Sequence, residues 1–215
     1  MRKLWHSYSV FLSRGYGLGV LVISPIGILL LFLLLNSVIG GHAVMLARVT
    51  FFSYLVIYEV ISDYWLFGGI CKRDANGLEH LKSAFYGLDV IRAGLIGDLL
   101  RRLVYLLVYG GVFYCMFRQA MDFVLIFLVY VSSVAVLNIS RHTPVWQMQM
   151  LVSFLGAIVF DVLFVFFWIA CEMAEGSTVV IVVELFIAIL LSFLVSVFTI
   201  WYMMSCVKKS YFEKE

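Results

Sequence analysis

The 215-residue chain is 64% hydrophobic and only 13% charged, with a mean hydropathy of +1.07. Soluble domains average ~45–50% apolar and ~25% charged residues, so a water-facing globule is excluded and lipid must form part of the solvent. A net charge of +2, from 15 basic and 13 acidic residues, is too small to hold a polyanion. That excludes nucleic acid as a partner, and the composition equally excludes a secreted disulfide scaffold or a disordered tail.

Residues 1–16 put Leu4, Trp5, Tyr8, Phe11 and Leu12 at helical spacing, with Arg2, Lys3, His6, Ser7, Ser9, Ser13 and Arg14 on the other side. The pattern predicts an amphipathic interfacial helix, apolar face toward acyl chains and basic face toward anionic headgroups; a plain basic anchor has the same composition. Gly15 and Gly17 allow a turn into residues 17–215, where six apolar stretches follow: Leu18–Ile39, Val49–Ile70, Leu103–Phe117, Phe123–Ile139, Met150–Cys171 and Thr178–Met204. A helix needs ~20 apolar residues to cross a ~30 Å core. Five stretches meet that directly. The third borrows Gly94–Arg102, whose charges are then expected at the headgroups. Pro25 should kink the first span, with Ser24 compensating. That span is 22 residues long without a small-residue cleavage site, which argues against a removable signal peptide.

Orientation follows from the basic residues. With a cytoplasmic N-terminus, the inner segments hold Arg2, Lys3, Arg14, Lys72, Arg73, Lys82, Arg92, Arg101, Arg102, Arg141, Lys208, Lys209 and Lys214, and the outer segments only Arg48 and Arg118. This 13-to-2 split is a positive-inside signal. The expected fold is all-α, a multi-pass plasma-membrane protein of six transmembrane helices with both termini cytoplasmic. The outer loops, Gly40–Arg48, Arg118–Asp122 and Glu172–Ser177, are too short for an ectodomain, and the one sizeable loop is cytoplasmic, residues 71–102.

Within that loop Asp74 or Asn76 can cap a short helix over Gly77–Ala84. Leu78, Leu81 and Phe85 then share one face, Glu79, His80 and Lys82 lie elsewhere, and Gly87 ends the helix before a second begins at Leu88. A short amphipathic helix between two long spans can plug into a groove on a cytoplasmic partner and transmit motion.

The run Arg73, Gly77-Leu78-Glu79-His80-Leu81, Ala84-Phe85, Gly87, Val90-Ile91 and Gly94 resembles the loop after the second span in integral membrane subunits of ABC-type exporters of the type-2 permease class. The family's Thr after the Gly is absent, and Phe85 stands where it has Pro. The family's topology is similar throughout the chain: an amphipathic N-terminal helix, six spans and a large loop between spans two and three. The resemblance implies that Arg73, Gly77, Leu78, Glu79, Leu81 and Phe85 couple to a separate ATP-binding subunit. It also implies that a second copy or a sister permease completes the membrane part, and that ATP and Mg bind the partner.

No GxxxxGK[ST] is present, so this chain has no P-loop of its own. There is no HExxH and no GxSxG, and His6, His42, His80 and His142 are scattered. Cysteines stand at 71, 115, 171 and 206 without CxxC spacing, and such membrane cysteines are mostly small hydrophobes. Cys115 and Cys171 fall near the same outer surface, within range of a disulfide only if the fold brings them together. No enzyme chemistry, cofactor or metal is expected on this chain.

Acids inside apolar stretches cost ~2.5–3.5 kcal/mol at the bilayer centre and face a bundle interior or cavity. Glu59 and Asp63 lie four residues apart on the second span, Asp161 on the fifth and Glu184 on the sixth. Each is either a translocation-pathway group or a structural acid; Arg92 or Arg101 could pair with Asp63, whereas Glu59 is expected in an aqueous cavity. Ser192, Ser196 and Thr199 form a polar stripe that suits helix packing or a pathway. Gly94, Gly97, Gly110 and Gly111 permit close helix approach. The leading expectation is the permease subunit of an ATP-driven exporter moving an amphipathic cargo, peptide or lipid-like. The alternatives are a stand-alone ion-coupled transporter or channel using the intramembrane carboxylates, and a membrane scaffold or immunity protein.

Overall fold

In a computed structural model, residues 2–11, 19–39, 44–67, 70–71, 81, 83–117, 121–142 and 178–212 are described, with scattered positions between 147 and 166. Every element among them is helical. The helices are α1 (Arg2–Ser9), α2 (Ser24–Ile39), α3 (Val44–Phe67), α4 (Gly87–Phe117), α5 (Met121–Ser140) and α6 (Thr178–Phe212).

Among the described residues three helical segments are long and apolar enough to cross a membrane: Gly87–Met116, Asp122–Ser140 and Ile181–Ser210. The expected first span is divided: a π-helical turn, Gly19–Ile23, leads into the 16-residue α2. Pro25 explains the junction. It has no N–H to return to the carbonyl four residues back, Leu21, and the Tyr105 hydroxyl of α4 donates to that oxygen at 2.8 Å. The expected second span is the 24-residue α3. Half of the fifth, Asp161 included, lies outside the described residues.

Two apolar clusters build the interior. One joins α2 to α5: Phe32, Phe51 and Phe113 meet edge to face, with ring centroids 4.4–5.2 Å apart, over Leu106, Ile126 and Val129. The other gathers Tyr8 of α1, Leu66 and Phe67 of α3, Ile91 and Leu95 of α4, and Met203 and Val207 of α6.

Glycines set two of the approaches. A Cβ on Gly97 would meet the Tyr8 Cβ at 3.0 Å, and one on Gly94 would run into the Phe11 ring. The face of α1 that carries Tyr8 therefore packs on protein. Tyr8 is fully buried, against the expectation of a helix whose apolar residues all face acyl chains. Among the described residues helix α6 is less enclosed than α5: 11% of its most apolar stretch is buried, against 50%. Its Phe186, Leu190, Phe193 and Leu194 are exposed.

Candidate functional site

Between the two clusters lies a layer of charge. Along α3, Glu59 and Asp63 fall between Leu55 and Leu66; along α4, Asp98, Arg101 and Arg102 fall between Leu95 and Leu106; Arg141 stands just past α5. All six are buried. Asp98 precedes the two arginines by three and four residues, the spacing that puts side chains on one helical face. Glu59 lies eight residues before the end of α3, roughly 12 Å along its axis at ~1.5 Å per residue.

The pairing is dense. Arg101 donates to Glu59 Oε2 at 2.9 Å and to Asp98 Oδ1 at 3.2 Å. Arg102 donates to Asp98 Oδ2 at 2.8 Å and to Asp63 at 3.3 Å, and forms an ion pair with Glu59 as well. Arg141 forks onto Asp63, Nε to Oδ2 at 2.9 Å and Nη2 to Oδ1 at 2.6 Å, a bidentate geometry that only a guanidinium offers. Its cationic carbon lies 5.2 Å from the Phe67 ring centroid. Three carboxylates against three guanidiniums leave the layer with no net charge. Tyr8 closes it from α1, donating to Asp98 Oδ1 at 3.2 Å. Burial, followed by the Asp98 carboxylate, pushes the Tyr8 hydroxyl well above the ordinary phenol range, so it stays a donor.

This arrangement revises several expectations. Glu59 does not face an aqueous cavity but meets Arg101 and Arg102. Asp63 meets Arg102 and Arg141, not Arg92 or Arg101. The charges of residues 94–102, expected at the headgroups, all turn into the bundle: Asp98, Arg101 and Arg102 are buried, and Arg92, just ahead of that stretch, is exposed. Sequence reasoning missed Asp98, Arg102, Arg141 and Tyr8 as members of one site. The Asp-x-x-Arg-Arg spacing at 98–102 was the one local signal.

The polar stripe of α6 faces α5. Ser196 hydrogen-bonds the Tyr130 hydroxyl at 2.8 Å, Thr199 accepts from Asn138 Nδ2 at 3.0 Å, and Ser192 Oγ donates to its own helix at the Ala188 carbonyl, 2.8 Å. Glu184 is half-buried near the start of α6.

Of the docking-loop candidates, Arg73, Gly77, Leu78 and Glu79 lie outside the described residues. Leu81 and Phe85 do not share a face: Leu81 packs against the second cluster, while Phe85 is 93% exposed. The cause is a pair of tight turns, Ala84 N–H to Leu81 O at 3.3 Å and Gly87 N–H to Ala84 O at 2.9 Å, which end helical periodicity before Phe85. Gly87 itself is required by close approach, since a Cβ there would collide with the Leu81 carbonyl. Phe85 and Tyr86 instead form an exposed edge-to-face pair, centroids 4.8 Å apart, directly ahead of α4.

A cleft of about 470 Å³ opens between α4 and α6, with Arg92 and Lys208 among its lining and Ile96, Val197, Trp201 and Met204 supplying apolar wall. The ion pairs of the charge layer hold α3, α4 and the end of α5 in register. Comparison with protein-family models, with curated proteins and with solved structures finds no match for this chain.

Proposed function

We propose that the chain is the permease subunit of an ATP-driven exporter: a six-span, multi-pass plasma-membrane protein with both termini cytoplasmic, working with a separate ATP-binding subunit and a second permease copy or sister chain. The observation that carries the reading is the exposed Phe85–Tyr86 pair. Two adjacent aromatic side chains turned out of a tight loop form a knob suited to a groove on a cytoplasmic partner. The knob is joined without a break to α4, whose Asp98, Arg101 and Arg102 grip α3 and Arg141. A push on the loop would thus reach the charge layer through one rigid helix, and ATP-driven closure of the partner would tilt α4 against α3 and α5.

The neutralised layer also speaks against an ion-coupled relay. A relay needs a carboxylate that gives up and regains a proton along a pathway, whereas Glu59, Asp63 and Asp98 each oppose guanidinium groups that remain charged. The basic, apolar-walled cleft between α4 and α6 suits an amphipathic cargo with an anionic head.

The test is purification from the native membrane with identification of accompanying chains. A stoichiometric P-loop ATPase supports the reading, and its absence overturns it. Replacing Phe85 and Tyr86 together by Ala should leave stability within about 0.5 kcal/mol, as for exposed sites, while abolishing co-purification and cargo-stimulated ATP turnover. Cysteines introduced at Asn76 and Lys209 should be labelled only by reagents that enter the cytoplasm, and one at Gly176 from outside.

A further inference from the structure

Three residues that the sequence scatters across the chain meet at one end of the bundle. Cys71 follows the end of α3, His142 follows the end of α5, and Cys206 lies in the last turns of α6. The two sulfurs and a ring nitrogen of His142 all lie within 4.8 Å of one another. We propose that they form a binding site for a thiophilic d10 cation, zinc in the first place, which clamps the ends of α3, α5 and α6 together.

The geometry is close to that of an occupied site. Tetrahedral zinc with Zn–S bonds of ~2.3 Å holds two sulfurs roughly 3.8 Å apart. Closing from no more than 4.8 Å therefore takes at most about 1 Å of side-chain movement. The tautomer of His142 is set as a ligand's should be. Its Nδ1 lies 2.7 Å from the Asn138 carbonyl, which can only accept, so Nδ1 carries the proton and Nε2 keeps its lone pair. The Tyr202 ring, 5.5 Å from the imidazole between centroids, limits rotation out of that position. A further soft donor is at hand: the Cys71 thiol donates to the thioether of the buried Met203 at 3.5 Å.

Charge balance selects the ion. A divalent cation with two thiolates and a neutral imidazole is neutral overall, which suits a place walled by Met203 and Val207. Binding releases two thiol protons to solvent, and all three ligand residues are only half-buried, so both protons and ion have a route. On the topology proposed above this end faces the cytoplasm, where thiols stay reduced. The clamp would act one layer below the buried charges, since Cys71 lies just past the α3 segment bearing Asp63, and His142 is the neighbour of Arg141.

The experiment is metal analysis of the full chain purified under reducing conditions, followed by titration with Zn2+, with Co2+ as a spectroscopic stand-in and with Cu+. About one equivalent of zinc per chain is expected, with a near-ultraviolet thiolate-to-cobalt charge-transfer band in the Co2+ form. Cys71→Ser, Cys206→Ser and His142→Ala should each reduce zinc affinity by at least about tenfold, while Cys115→Ser, an exposed thiol elsewhere, should leave it unchanged. A readout that needs no variant is alkylation of the native protein: zinc should protect Cys71 and Cys206 and leave Cys115 reactive, and a chelator should abolish the protection. Cu+ taken up in preference to zinc with the same dependence on the three residues supports the site and changes only its ion. Zinc binding that survives the Cys71→Ser/Cys206→Ser double variant, equal alkylation with and without zinc, or a Cys71–Cys206 disulfide in the purified protein would each overturn the proposal.

Discussion

Replacing Arg102 by Met removes one charge from the centre of the buried layer and keeps an unbranched apolar stem in its place. Arg102 is 1% exposed and reaches all three acids: Glu59, Asp63 and Asp98. Without it three carboxylates face only Arg101 and Arg141, and one negative charge is left buried and uncompensated. Breaking a buried pair in this way costs about 3–5 kcal/mol. At roughly 2–4 °C per kcal/mol for a chain of this length, the unfolding midpoint should fall by about 6–20 °C. Neutralising Glu59 as well restores the balance, two acids against two arginines, so Arg102→Met/Glu59→Gln should recover up to about 3 kcal/mol of that loss, the coupling expected for groups in contact. The assay is thermal unfolding of the purified protein in detergent or nanodiscs, with the exposed Arg92→Met as a control that should shift stability by no more than about 0.5 kcal/mol. A midpoint for Arg102→Met within ~2 °C of wild type, or a double variant less stable than the sum of the two singles, would refute the argument that charge balance governs this layer.

Gly94→Leu should drive α1 off α4 by filling the space of the Phe11 ring, costing about 1–3 kcal/mol and opening residues 1–11 to limited proteolysis; unchanged protection would show that α1 docks elsewhere. Gly111→Ala, where an added Cβ meets nothing within 4 Å, should instead stabilise α4 by about 0.5–1 kcal/mol in the same unfolding assay. Tyr105→Phe takes the donor from the Leu21 carbonyl and should cost about 1–3 kcal/mol. Pro25→Ala in that background restores a backbone N–H and should return part of the loss; a second loss of the same size would remove the proline from the explanation.

The all-helical class, the apolar stretches and the presence of acids within them were legible from composition and spacing, because partition into lipid depends on the local run of side chains. The packing roles of Gly94, Gly97 and Gly110 were legible for a similar reason: a missing Cβ invites close approach wherever a neighbour comes. A cationic partner for Asp63 could also be read, since an unpaired charge in a low-dielectric interior is too costly to persist, whereas Glu59, expected to face water, is held by arginines instead. Which cations answer the two acids could not be read. Asp63 meets Arg141 across 78 residues of chain, and Glu59 meets Arg102 across 43. Coulomb energy depends on distance in space and on burial, and neither is written in a helix's own periodicity. The same holds for Cys71, His142 and Cys206, whose spacing matches no motif, and for Phe85, which helical periodicity assigned to the face of Leu81 until two tight turns carried it outward. Local hydropathy decided what forms a helix; which faces of those helices meet, and so which charges and which sulfurs come together, was decided only when the bundle packed.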